Sequence, residues 1–292
     1  MDFLKAAVHW IVAAYAMVYS FYPFDGERMV ETQHNTYKSV ENESLSIEFY
    51  LPDAPRTGIP MVVAVHGGLW WAGRTFYLKP FARYLAQRGT GCALVDFRRM
   101  PKNGFEDQAQ DIKDAVRYVR EHSPSLGVDP ERLGIMGISS GAHLAALAAM
   151  TGDGDGYGND PPGSSSKVKA AAYIYGAYDF ITQPADRISR AILDSLRVYL
   201  STAPPGGLTP EAFASPVTFA DHSDPTTLIV HGRKDEIVPW TQAVEMQQAL
   251  ANEGVATELI GMAGYAHGFW ELCPWLWPVL FDKTGEFFRR SL

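Results

Sequence analysis

Four short stretches hold residues able to do chemistry together. Gly137-Ile138-Ser139-Ser140-Gly141 is a GxSxG pentapeptide. It needs a sharp turn that exposes a serine oxygen, with glycines where strand and helix come close. His66-Gly67-Gly68-Leu69-Trp70 offers glycines that let backbone N–H groups face a cavity and receive an oxyanion. Asp235 lies in HGRKDEIVP and His267 in GYAHGFW. Serine, acid and histidine in this chain order suit nucleophilic acyl transfer, with the histidine as base and the acid holding it. Asp179 and Glu236 are rival acids, and Asp179 also follows an apolar run. His143 and His231 are poorer bases: His143 falls within an alanine-rich helical stretch pointing away from the serine, and His231 reads as packing. Each residue alone has a dull reading: a tight turn, a capping aspartate, a structural histidine.

The surrounding elements decide between these readings. RLGIMGI reads as a strand and SGAHLAALAAM as a helix, so Ser139 falls on a strand-to-helix turn. A continuous apolar run over 61–65 reads as a strand buried on both faces, and 92–97 as another buried strand. Further strands are expected over 46–51, 132–138, 168–175, 226–230 and 257–262. Helical spacing covers 81–88, 107–121, 140–150, 239–251 and 279–290. Alternating strands and helices imply an α/β fold: a mostly parallel central sheet, helices on both faces, and ligands at the strand C-termini. The stretch 180–220 breaks the alternation and reads as a small insertion over that edge.

With these motifs on their elements, the chain resembles the esterase/lipase branch of the α/β-hydrolase fold. That branch includes hormone-sensitive-lipase-type carboxylesterases, feruloyl-esterase-like hydrolases and kynurenine formamidase. HGGLW is similar to the HGGxW form of the oxyanion motif, and GVDPERLGIMGISSGAHLAALAA to the nucleophile region. VDFRRMPKNGFEDQAQDIKDAVRYVREH, VHGRKDEIVP and AHGFW resemble the segments that support the nucleophile and carry the acid and the base. The resemblance covers about residues 45–292, the expected hydrolase domain. It implies Ser139, Asp235 and His267 as a catalytic triad, with backbone donors at Gly68, Leu69 and Ser140. The chain departs from the common pattern at Leu69 (for a third glycine), Ser140 (for alanine) and Phe97 (for tyrosine). Backbone N–H chemistry survives the first two changes, and the third removes only a supporting hydroxyl.

Trp70, Trp71, Trp240 and Phe269 flank the motifs and are expected to line the substrate pocket, although aromatic residues near a sheet edge are more often core. Bulky rings there would favour short acyl chains. The expected activity is cleavage of small to medium carboxylic esters through an acyl-enzyme. An arylformamidase-like amide hydrolase and a non-catalytic binding protein are the alternatives; the filled triad counts against the second.

Composition sets the wider limits. A net charge of -8 with no basic run argues against a nucleic-acid surface. Two cysteines, Cys92 and Cys273, make no disulfide framework, and no metal motif is present, so no cofactor is expected. Asp153–Asp160 looks faintly like a calcium loop but lacks a third-position acceptor and a closing glutamate, and a solvated loop is the better reading. Ala6–Phe24 carries no Asp, Glu, Lys or Arg. The segment 1–24 fits a signal or anchor, with membrane association through 6–24 or export, and equally a helix packed on the domain.

Overall fold

The structure, a computed structural model, describes residues 30–40, 43–53, 56–182 and 204–292. The N-terminal segment 1–24 and residues 183–203 of the expected insertion lie outside the described residues. No described helix is long and apolar enough to cross a membrane.

Eight strands form one sheet: β1 (Val30–Val40), β2 (Glu43–Pro52), β3 (Ile59–Val65), β4 (Gly91–Val95), β5 (Val128–Ile138), β6 (Ala170–Ile174), β7 (Thr226–Gly232) and β8 (Thr257–Met262). Their order is β1-β2-β4-β3-β5-β6-β7-β8. β1 and β2 are antiparallel at one edge, and all pairings from β4 through β8 are parallel. The chain leaves β3 toward β4 and returns on the other side of β3 as β5. The strand order therefore reverses at β3, and HGGLW and Ser139 lie at the carboxyl ends of β3 and β5, the place where open α/β sheets bind ligands.

Side-chain alternation along the strands sorts the core into two layers. Val63, Val65, Ala93, Val95, Ile135, Tyr173 and Ile229 face one layer, covered by α2 (Phe105–Leu126), α3 (Ser140–Met150) and α5 (Trp240–Asn252). Val62, Ala64, Leu94, Met136, Ile138, Ile174 and Val230 face the other, covered by α1 (Lys79–Gln87) and α7 (Trp277–Ser291). α3 is buried around almost its whole circumference, and its alanines let it lie close to the sheet. α2 starts at Gly104, whose N–H donates to the Asp107 carboxylate, and ends at Gly127 in a left-handed conformation.

The described end of the 180–220 stretch holds α4 (Pro210–Ala214), started by Thr209 accepting from the Ala212 N–H. Phe213 is buried against Phe105 and Tyr157, so this segment docks beside α2 and α3. In the loop over 153–160, Asp153 accepts from the Asp160 N–H and Asp155 from the Gly152 N–H, while Asp160 pairs with Arg117. Its carboxylates hold its own turns together.

Candidate active site

Ser139 is the single residue between β5 and α3, with φ +53° and ψ −125°, outside the comfortable region for a residue with a side chain. Such a conformation costs about 1–3 kcal/mol and persists only when its surroundings enforce it. The enforcement is visible. Ser139 N–H donates to Ile174 O at the end of β6 (2.9 Å), and a Cβ built on Gly141 would lie 2.3 Å from His66 O. Glycine at 141 lets α3 start against the end of β3.

The serine hydroxyl lies 2.8 Å from His267 Nε2, and His267 Nδ1 lies 2.8 Å from Asp235 Oδ2. An ionised carboxylate only accepts, so Nδ1 carries the proton, and Nε2 accepts from the serine. Asp235 follows β7 and His267 follows β8, so three strand ends supply the three groups. Asp235 Oδ1 accepts from the N–H groups of Ile237 (3.0 Å) and Val238 (2.8 Å). Burial works against the Asp235 carboxylate, but donors at His231, His267 and Val238 outweigh it and hold its pKa well below the usual range.

The His66–Trp70 turn follows β3 and lies against the serine: a Cβ on Gly67 would be 3.1 Å from Ser139 Cβ. Gly68, Leu69 and Trp70 all have positive φ. At Gly68 (φ +135°) a side chain would collide with Ala72 O, so this position requires glycine. Ser140 is the first residue of α3, and its N–H, like others in a first helical turn, has no carbonyl of its own helix to pair with.

Of the four aromatic residues expected to line the pocket, Trp71 is the most exposed, at 44 %. Trp70 corrects that expectation. It is buried, its indole N–H donates to His143 Nδ1 (2.9 Å), and its carbonyl accepts from Gln108 (2.9 Å) and Met100 N–H (3.1 Å). It clamps the turn from behind. Phe269 is likewise buried, packed on Tyr175 at 4.8 Å. Trp240 is half-buried beneath the Arg233 guanidinium.

The rival groups are engaged elsewhere. Asp179 accepts from Ile181 N–H, Thr182 N–H and Thr182 Oγ–H, closing a turn, and Glu236 is exposed. His143 is fully buried; with Nδ1 accepting from Trp70, Nε2–H donates to Ala214 O (2.8 Å). His231 is more than packing: its Nε2 bonds Val238 O at 2.8 Å and stands 3.3 Å from Asp235 Oδ2. Gln108 gave no sequence signal, because its partner is a backbone carbonyl set by the turn. Phe97 stacks on His66 at 4.6 Å, so the residue in the tyrosine position contributes its ring to the wall behind the turn.

The fold and the strand-end constellation define an α/β-hydrolase with a serine–histidine–aspartate arrangement. The chain belongs to the BD-FAE family, which it matches over residues 47–250. That span contains Ser139 and Asp235, and His267 lies beyond it. Esterase LipQ of Mycobacterium tuberculosis is 31% identical over 76% of this chain and 53% of its own length. Isoprenylcysteine alpha-carbonyl methylesterase ICME of Arabidopsis thaliana is 27% identical over 76% of this chain and 53% of its own. The chain thus spans about half the length of the curated relatives it matches. Among solved structures, esterase 2 of Thermogutta terrifontis superposes with a TM-score of 0.75 at 26% identity, over 89% of this chain and 94% of that one.

Proposed function

We propose that this protein is a serine esterase that cleaves small to medium carboxylic esters through an acyl-enzyme. The observation that carries the reading is the unbroken relay from Ser139 Oγ through His267 to Asp235, with both contacts at 2.8 Å. His267 takes the serine proton as Oγ attacks the ester carbonyl. Asp235 fixes the imidazole tautomer and stabilises the imidazolium. Backbone N–H groups of Gly68, Leu69 and Ser140 receive the oxyanion, each worth about 3 kcal/mol of transition-state stabilisation. His267 then returns its proton to the departing alcohol, and water, activated by the same base, releases the acid.

Short acyl chains are the preferred substrates in this reading. Its support is the Thermogutta terrifontis esterase 2, whose solved structures hold butyrate and propionate. Leu69 and Trp71, exposed in and just after the turn whose Gly67 lies against the serine, add apolar surface suited to an uncharged ester.

Replacing Ser139 with Ala should lower ester turnover by about 10⁴-fold or more with the fold intact. The substrate class is tested with p-nitrophenyl esters of increasing chain length beside an aryl formamide. Each methylene that fits contributes about 1 kcal/mol, so kcat/KM should peak at a short chain and then fall sharply. Near-normal turnover in Ser139→Ala would overturn the mechanism. A formamide turned over faster than every ester would replace the ester reading with an amidase.

A further inference from the structure

Tyr175 is the residue after β6, and its backbone lies at φ +40°, left-handed geometry that a bulky aromatic residue rarely adopts. Strain at such a residue persists where the surroundings demand it, and it gathers at functional sites. Here all three strand ends of the site meet. The preceding carbonyl, Ile174 O, accepts the N–H of Ser139, and the N–H of Tyr175 itself donates to Val230 O on β7, the strand that leads to Asp235 (2.8 Å). Its fully buried ring stands edge-on to the His267 imidazole at 4.9 Å and packs on Phe269 at 4.8 Å. Its hydroxyl donates to Glu271 Oε2 at 2.6 Å.

Glu271 lies on the short helix α6 (Phe269–Leu272), four residues beyond His267, and is half-buried. The acyl-transfer scheme gives it no part. Burial pushes its carboxyl up from the ordinary range, and the Tyr175 hydroxyl and the charge of His267 draw it back. Among the described residues, the titratable groups around it are Tyr175 at the end of β6, His267 in the loop after β8, and Tyr77 in the turn Thr75–Leu78. His267 in turn faces Asp235, Ser139 and Tyr175.

We propose that Tyr175 and Glu271 form a positioning pair for His267: the ring fixes the imidazole's orientation, and the carboxylate supplies a second negative charge that favours the imidazolium formed as Ser139 attacks. The pair rests on the esterase reading and deepens it. Asp235 acts on the Nδ1 edge, whereas Glu271 acts through space from behind the tyrosine. The strained backbone at Tyr175 is what places the ring between them.

The test is the pH dependence of covalent labelling by a fluorophosphonate, followed by intact mass, in wild type, Glu271→Gln, Glu271→Asp and Tyr175→Phe. Glutamine keeps an acceptor for the tyrosine hydroxyl and removes the charge. Less negative charge near an imidazole makes it lose its proton at lower pH. The rising limb should therefore move to lower pH by roughly half a unit to one unit in Glu271→Gln, and the plateau rate should fall about 5-fold. Tyr175→Phe should move the limb the same way by less, because the carboxylate loses the donor that helps keep it ionised. Glu271→Asp should restore most of the wild-type position.

A purely structural pair would change the melting temperature and leave the limb in place. An unmoved limb in folded Glu271→Gln overturns the proposal, and should that variant not fold, an unmoved limb in Tyr175→Phe does the same. A wild-type protein that labels at no pH would overturn the underlying esterase reading, an outcome distinct from an unmoved limb in a protein that labels.

Discussion

At the scale of single residues, the site depends on how Asp235 is held. Two backbone donors occupy one of its oxygens, and two histidine nitrogens approach the other. Such a carboxylate stays ionised and fixed, so it can only accept from His267 Nδ1–H. Asp235→Asn would present an amide that can donate there and favour the wrong tautomer. The expected result is a fall in kcat of about 10³- to 10⁴-fold, with little change in the unfolding midpoint, measured by steady-state kinetics beside thermal melts. A loss under tenfold would mean that another group holds the histidine. Ser139, Asp235 and His267 were legible in the sequence because each follows an apolar run that must be a strand, and parallel strands end on one edge. Trp70 and Phe269 were not legible as core residues. Their proximity to the motifs was plain, but the direction of each side chain depends on backbone twist: Trp70 has φ +63°, which turns its indole inward toward His143.

At the scale of elements, the nucleophile turn is locked by α3 from behind. His143, in the first turn of that helix, ties Trp70 of the His66–Trp70 turn to Ala214 at the end of α4. Burial depresses its pKa to about 4, a cost to the charged form that the Ala214 carbonyl only partly offsets. In the unfolded chain a histidine titrates near its ordinary value, so between about pH 6.5 and 4 the unfolded state binds more protons. The stability from neutral His143 is fully present above that window and is lost as pH falls through it, by about 3 kcal/mol. His143→Gln should be less stable than wild type at neutral pH, and the gap should narrow toward pH 4; denaturant unfolding at a series of pH values reads this directly. A gap independent of pH would contradict the account. The parallel strands and their helices were visible in apolar runs and helical spacing, and β8 and α3 have the expected limits. β1 was not visible. It is an edge strand with polar residues on much of its length, such as Glu31, Gln33 and Asn35, and its pairing with β2 supplies the order that its own side chains do not announce.

At the scale of the whole molecule, three strand ends, one helix start and one glycine turn meet beside the point where strand order reverses. Nothing in a linear pattern states that β6 contributes Tyr175 to this meeting, because the contact depends on a left-handed residue after an otherwise ordinary strand. The fold places the charged relay and the exposed side chains of the His66–Trp70 turn and Trp71 on the same edge of the sheet. The central claim is that this edge holds one activated nucleophile, Ser139. It is tested most directly by reacting the folded protein with a fluorophosphonate and locating the adduct by peptide mass spectrometry. The account predicts a single phosphonyl group on Ser139, complete at stoichiometric reagent and absent from Ser139→Ala. An unmodified protein, or an adduct on any other residue that persists in Ser139→Ala, would contradict it.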